Sequence, residues 1–197
     1  MAILLEDYSP QWKLQFEQLT EVYKKHLDGL VLSIEHVGST AVPGLCAKPV
    51  IDIDIVVESL SQVTQVIPHL VELGYEYLGE VAIPERFVFR QTSKHVPYDG
   101  SGRSWQKHHL YCCIKDCAAL RNHLLLRDAL LMDQSLAFAY AVLKRSLADS
   151  TSNMDEYVMG KTSFIAEVLA KGGMSSKEIL AIAVQNKTVI PPSEPRK

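Results

Sequence analysis

IEHVGSTAVPGLCAKPVIDIDIVV, residues 34–57, decides the fold of this chain. It contains the end of one predicted strand, a Gly-Ser turn, a proline-containing loop and a second predicted strand over residues 50–57. In the second strand, isoleucines alternate with Asp52 and Asp54. Because successive side chains of a strand point to opposite faces, the isoleucines are predicted to face the core and both carboxylates to share the other face.

The two aspartates and the turn before them suit the same chemistry. Carboxylates at positions i and i+2 of a strand lie about 7 Å apart and can converge on hard divalent cations. A turn such as Gly38-Ser39 can offer backbone N–H groups and a hydroxyl to phosphate oxygens. Cations held in this way can clamp the attacking and leaving oxygens of a phosphoryl displacement. Without a cation the carboxylates are expected to repel each other, which raises the pKa of at least one.

Strands precede helices along the chain. Alternating or short apolar segments predict strands over residues 31–37, 50–57, 75–80, 86–91 and 108–114. Apolar spacing of three and four residues predicts helices over residues 10–28, 60–73, 117–131, 134–149, 153–171 and 176–186. Pro68 is expected to break or kink its helix. Asp133 is expected to cap the helix 134–149, and Ser152 and Gly172-Gly173 to begin and end the helix 153–171.

This order of elements predicts an α+β domain. A small mixed sheet, with the acidic strand at its centre, is expected to be flanked by helices and followed by a helical C-terminal half. The domain is predicted to span residues 1–190, and residues 191–197 to form a flexible tail.

Composition narrows the classes of function. Of 197 residues, 47% are hydrophobic and 22% are charged, which is ordinary globular usage and excludes a disordered chain. The charges, 20 Lys+Arg against 23 Asp+Glu, give a net charge of -3, so nucleic acid is not an expected partner. Neither a signal peptide nor an apolar stretch of roughly 18 residues is present, which predicts a cytoplasmic protein without a membrane partner. The cysteines lack metal-site spacing and are predicted to be reduced and buried: Cys46, Cys112, Cys113 and Cys117.

A Gly-Ser turn followed by an Asp-x-Asp strand resembles the signature of the nucleotidyltransferase superfamily. The whole block 34–57 resembles the hallmark of the GrpB family, small proteins with a nucleotidyltransferase-like fold. Five further blocks are similar to the family and follow its order: EDYSPQWKLQFE, LGYEYLGE, LLLRDALL, YAVLKRSLA and YVMGKTSFI. Together the blocks extend over nearly the whole chain.

The resemblance implies roles for individual residues. Gly38, Ser39 and Thr40 are expected to face phosphate. Asp52 and Asp54 are expected to hold Mg²⁺, or Mn²⁺ in its place, and to take part in catalysis.

The strand HHLYCCI, residues 108–114, departs from the family pattern. Polymerase-type relatives place a third carboxylate on a later strand, and this strand has none. The usual His-x-His of the family becomes His109-Leu110-Tyr111. The resemblance implies that this strand lies next to the acidic one, and strand parity places His109 and Tyr111 on the same face. Two interpretations of His109 follow: a general base toward an acceptor hydroxyl, or a structural histidine hydrogen-bonded beside the acidic strand.

Several cations could reach a polyanionic ligand. Each could instead be solvated or paired with a neighbouring carboxylate. These residues are Lys48, Arg86, Arg90, Arg127, Lys144 and Lys161.

The first functional interpretation is a Mg²⁺-dependent nucleotidyltransferase-like enzyme. It would transfer a nucleotidyl group from a nucleoside triphosphate to an unidentified hydroxyl. Two alternatives are a non-catalytic module that binds a nucleotide or another phosphate-bearing ligand, and a protein-interaction module that uses the helical half. An enzyme requires Asp52 and Asp54 to face a common cleft that solvent and metal can reach.

Overall fold

The structure, a computed structural model, describes residues 3–81 and 83–188. Its strands are β1 (Ser33–Val37), β2 (Ile51–Val57), β3 (Tyr75–Glu80), β4 (Arg86–Gln91) and β5 (His108–Ile114). Its helices are α1 (Pro10–His26), α2 (Leu60–Glu72), α3 (Ala118–Met132), α4 (Gln134–Ser150), α5 (Met154–Gly160), α6 (Thr162–Lys171) and α7 (Ser176–Thr188). The predicted tail over 191–197 lies outside the described residues, and the domain bounds 1–190 stay a prediction.

The strands form one mixed sheet in the order β1-β2-β5-β4-β3. The β2–β5 pair is parallel and the other three pairs are antiparallel. The acidic strand β2 was predicted at the centre of the sheet. It is an internal strand, but β5 occupies the central position. The α+β class and the helical C-terminal half are confirmed.

The two faces of the sheet are covered differently. Helices α1 and α2 pack on the face that carries the isoleucines of β2, all of which are fully buried. Helix α1 begins where predicted, because Pro10 suits the first helical position and Ser9 caps it. Helix α3 packs on the opposite face, against β1 and β5. The alternation in β2 thus separates the main core from the face that carries Asp52 and Asp54.

The predicted break at Pro68 is wrong. Helix α2 runs without interruption through this residue. A proline inside a helix removes one backbone hydrogen bond, at a cost of about 3 kcal/mol. Burial of Val63, Val66 and Leu70 on the same helix offsets this cost, since each fully buried aliphatic side chain contributes about 1.5–3 kcal/mol.

The predicted helix 153–171 is two helices, which meet at Lys161. Gly160 ends the first of them, and a Cβ at this position would collide with the side chain of Leu147. Glycine allows this close approach to α4 but is a poor helix former, so the helix is interrupted here. The interruption places Lys161 at the junction of the two helices.

The two predicted helix caps have different outcomes. Asp133 caps α4 as expected and accepts hydrogen bonds from the backbone N–H groups of Ser135 and Leu136. The cap of α5 is Asn153 and not Ser152, because the Asn153 side chain accepts from the N–H of Asp155 at 2.9 Å.

Two compositional predictions are tested. All four cysteines are free and buried, as expected. Among the helices of the described residues, none combines the length and the apolar character that crossing a bilayer requires.

Candidate functional site

A cleft of about 160 Å³ opens at the N-terminal end of β2. It is lined by Ser39, Thr40, Ala47, Lys48, Val50, Asp52, His109, Lys144, Tyr157 and Lys161. Residues far apart in the sequence therefore meet here, from the turn after β1, from β2 and β5, and from the helical half. Seven of the ten are residues that the sequence singled out.

The turn after β1 lies directly against Asp52. Gly38 has φ +70°, a left-handed conformation that glycine adopts without strain, and Ser39–Ala41 form one turn of 3₁₀ helix. A Cβ at Gly38 would collide with the carboxylate of Asp52. The hydroxyl of Thr40 is held by Nε2 of His36 at 3.0 Å. The turn is thus fixed beside the acidic strand, and glycine is required at its first position.

Gly38→Ala is expected to destabilise the protein by about 1–3 kcal/mol, from backbone strain plus the collision with Asp52. Gly44→Ala is the matched control, because Gly44 also has a positive φ (+82°) but open space around its Cα. The difference between the two variants in urea-unfolding free energy isolates the contact with Asp52. Equal losses in both variants would show that this contact has no energetic weight.

Asp52 forms a pair with His109. The two residues are register partners across the parallel β2–β5 pair, and Nδ1 of His109 lies 2.8 Å from Oδ1 of Asp52. Both are accessible, with side-chain exposures of 31% for Asp52 and 46% for His109. Burial alone raises the pKa of Asp52, but the hydrogen bond from His109 and nearby positive groups hold it below its usual value. The predicted proximity of His109 is confirmed, and the raised pKa expected from carboxylate repulsion is wrong for Asp52.

Asp54 forms a second pair, which the sequence analysis missed. Its side chain is fully buried, and Oδ2 lies 2.7 Å from Nδ1 of His123 on α3. Burial lowers the pKa of His123, but the charge of Asp54 outweighs this effect and leaves the pKa raised. The prediction that both carboxylates are open to solvent therefore holds for Asp52 and is wrong for Asp54, because α3 covers it. No local signal marks His123, since a histidine on an amphipathic helix is compatible with many roles.

Asp52 fits a partly hydrated Mg²⁺ ion. Each carboxylate uses one oxygen for its histidine, while the buried Oδ1 of Asp54 has no hydrogen-bond partner among the described residues. Within that same part of the chain, no group of three or more His, Cys, Asp or Glu side chains forms a ready cation site. Mg²⁺ usually keeps several waters and is bound by one or two carboxylates plus substrate phosphates. Asp52, which is accessible beside the phosphate-facing turn, matches that requirement, whereas Asp54 is sealed beneath α3 and lies outside the cleft lining.

Three lysines line the cleft together with Asp52. Lys144 is only 3% exposed, donates to the carbonyl of Cys46 and has a pKa lowered by burial to about 7. Burial also lowers the pKa of Lys161 to about 8 and shifts that of Lys48 downward. Across residues 3–81 and 83–188, none of the three forms an ion pair with a carboxylate. The cleft thus concentrates positive charge that lacks a counter-ion.

The predicted arginines do not line the cleft. Arg127 donates through Nη1 to Glu35 at 2.8 Å and to the carbonyl of His36 at 3.2 Å. Arg86 is buried, with its guanidinium carbon 4.7 Å from the ring centroid of Tyr111, and Arg90 pairs with Glu76. All three arginines are therefore engaged outside the cleft. Arg127 links α3 to β1, the strand that leads into the Gly38 turn.

Solved structures define the class of the fold. A cytoplasmic RNA terminal U-transferase superposes with a TM-score of 0.53 at 16% identity, covering 79% of this chain and 49% of that chain. The crystal structure of the conserved protein GrpB from Enterococcus faecalis superposes with a TM-score of 0.71 at 30% identity, covering 85% of this chain and 96% of that chain. The mixed sheet with its helical C-terminal half therefore has a nucleotidyltransferase-like fold.

Sequence comparison narrows this class to one family. The GrpB protein family profile matches residues 2–171, so the chain belongs to the GrpB family. The UPF0157 protein YqkA of Bacillus subtilis is 31% identical over 159 residues, which is 80% of this chain. The matched part spans 43% of the length of YqkA.

Proposed function

We propose that this protein is a Mg²⁺-dependent nucleotidyltransferase that transfers a nucleotidyl group from a nucleoside triphosphate to a hydroxyl acceptor. The observation that carries the proposal is the meeting of the Gly38-Ser39 turn, the Asp52–His109 pair and three lysines in one cleft, where the described residues give the lysines no counter-ion. A turn with a free hydroxyl and several ammonium groups is suited to the phosphates, and a carboxylate–histidine pair to proton transfer.

Each group has a distinct task in the proposed reaction. Backbone N–H groups of the turn, the Ser39 hydroxyl and the lysines bind and orient the phosphate chain. Asp52, together with the substrate phosphates, would hold Mg²⁺, which when bound would stabilise the charge that develops on the transferred phosphoryl group. Asp54 would keep β2 and α3 together through its contact with His123. An ionised carboxylate can only accept a hydrogen bond, so Nδ1 of His109 donates to Asp52. In the neutral ring this leaves Nε2 to accept the proton of the acceptor hydroxyl.

The proposal is tested by pyrophosphate release from each nucleoside triphosphate, with Mg²⁺ and a panel of small and macromolecular hydroxyl acceptors. His109→Gln is expected to slow the release by about 10²–10⁴-fold, because it removes a general base. Asp52→Asn is expected to abolish it and to reduce the thermal stabilisation that nucleotide with Mg²⁺ gives. The exposed Asp28→Asn serves as the control and is expected to match the wild type. Equal activity in the His109 and Asp28 variants contradicts the role of His109.

A second candidate function is a non-catalytic module that binds a phosphate-bearing ligand. It is favoured by two observations: Asp54 is sealed beneath α3 and does not share the cleft with Asp52, and the residue that faces Asp54 across the β2–β5 pair is Tyr111 and not a carboxylate. The same assay separates the two candidates. Ligand-induced stabilisation without pyrophosphate release, in wild type and Asp52→Asn alike, favours the binding module.

A further inference from the structure

The charges in the cleft are unbalanced. Ammonium groups reach it from the loop before β2 (Lys48), from α4 (Lys144) and from the α5–α6 junction (Lys161). Among the described residues that line the cleft, Asp52 is the only carboxylate, and it is already paired with His109. A ligand with several negative charges close together would complete this arrangement, whereas a singly charged ligand would leave ammonium groups without a partner.

The interior is too small for a whole nucleotide to be enclosed. Its volume of about 160 Å³ lies below the range of roughly 300–1,000 Å³ typical of pockets that enclose drug-sized ligands. The large aromatic ring of the lining is not open either. Tyr157 is 1% exposed and has Nζ of Lys161 over its ring at 4.4 Å. Since stacking requires a free ring face, Tyr157 does not offer a platform for a base.

We infer that the cleft selects its ligand by the length of the phosphate chain and not by the base. The inference rests on the proposed function, because it names what the same site recognises. Each added phosphate brings negative charge to another ammonium group, while the base stays outside the lysine-lined interior. Inorganic tripolyphosphate is therefore expected to bind as tightly as a nucleoside triphosphate. The lysines supply the positive charge themselves, so this binding is expected to persist in EDTA.

The test is isothermal titration of the full chain at constant ionic strength, with EDTA and then with Mg²⁺. Tripolyphosphate, ATP, GTP, CTP and UTP are expected to have dissociation constants in EDTA within about threefold of one another, since every contact that discriminates a base by tenfold needs about 1.4 kcal/mol. Pyrophosphate and monophosphate are expected to bind progressively more weakly. Charge-assisted hydrogen bonds contribute enough that Lys161→Met is expected to weaken tripolyphosphate binding at least about tenfold.

Two further variants keep the result interpretable. Lys48→Met, in a loop, repeats the test if Lys161→Met fails to fold, as judged by circular dichroism. Lys115→Met is the matched control, since Lys115 lies outside the cleft and contacts Glu58 on the surface. It is expected to leave tripolyphosphate binding unchanged.

The outcomes separate this inference from the proposed function. A preference of more than about tenfold for one base, or much weaker binding of tripolyphosphate than of ATP, overturns the inference and leaves nucleotidyl transfer standing. Similar binding of all triphosphates without pyrophosphate release overturns the proposed function and supports the inference. If tripolyphosphate and all four nucleotides fail to bind, both are overturned.

Discussion

Asp54→Ala is expected to destabilise the protein by about 3 kcal/mol, because the imidazole of His123, which is only 22% exposed, loses its partner in a largely buried position. The partner is His123 of α3, whose Nδ1 lies 2.7 Å from Oδ2 of Asp54. For a domain of this size, such a loss corresponds to a fall in Tm on the order of 10 °C. Urea unfolding followed by circular dichroism measures the free energy directly.

Asp52→Ala is the matched comparison for Asp54→Ala, because Asp52 belongs to the same motif but is accessible to solvent. Asp52 is 31% exposed and its partner His109 is 46% exposed, so solvent can replace the lost contact. A loss of about 1 kcal/mol or less is expected there. The two aspartates of one motif are thus expected to differ, with Asp54 dominating stability and Asp52 dominating ligand-linked function. Similar losses for both variants would contradict the assignment of Asp54 to a buried structural pair.

A double-mutant cycle with His123→Ala tests whether the cost belongs to the pair. If Asp54 and His123 stabilise the fold chiefly through each other, the double variant is expected to lose less than the sum of the single variants, with a coupling of about 0.5–3 kcal/mol. Additive losses would assign the cost of Asp54→Ala to other contacts of the carboxylate.

The local part of this site was predictable from the sequence. The alternation in β2 fixed which face carries Asp52 and Asp54, because side-chain direction in a strand depends only on residue parity. The same parity placed His109 on the matching face of β5. That β5 lies beside β2 followed from the family resemblance, since no local pattern reports which strands pair.

The remainder depended on tertiary contacts that local patterns do not encode. His123 lies 69 residues from Asp54 in the sequence, and only the packing of α3 on the sheet brings them together. The same packing buries a carboxylate that its strand alone would leave exposed. Helix α2 gives the opposite case, because its predicted break at Pro68 is overridden by burial of its apolar face. Local signals therefore identified Asp52, Asp54 and His109, whereas packing decided their environments and alone brought His123 to Asp54.

Lys144→Met is expected to stabilise the protein near neutral pH while impairing phosphate binding. Lys144 is buried, its ammonium group donates to the carbonyl of Cys46, and it forms no ion pair within the described part of the chain. Burial lowers its pKa to about 7, whereas the ordinary value is 10.5. Between these values the unfolded chain carries one more proton than the native protein, so wild-type stability rises with pH. The methionine variant lacks this contribution.

The stability advantage of Lys144→Met is therefore expected to shrink as pH rises from about 7 toward 10, by at most about 1.4 kcal/mol per pH unit. The lost hydrogen bond to Cys46 shifts the curve of stability against pH by a constant amount, so the slope isolates the charge of the buried amine.

Lys24→Met is the control, because Lys24 is exposed beside Glu21 and its variant is expected to parallel the wild type. Urea unfolding at several pH values gives the slopes, and thermal shift with tripolyphosphate gives the loss of binding. If Lys144→Met parallels the wild type at every pH, Lys144 does not destabilise the fold through its charge. If the variant keeps the full thermal shift with tripolyphosphate, Lys144 is not a phosphate ligand. A lysine that weakens the fold and strengthens ligand binding is what a site built for a polyanion requires, since the ligand supplies the negative charge that the protein omits.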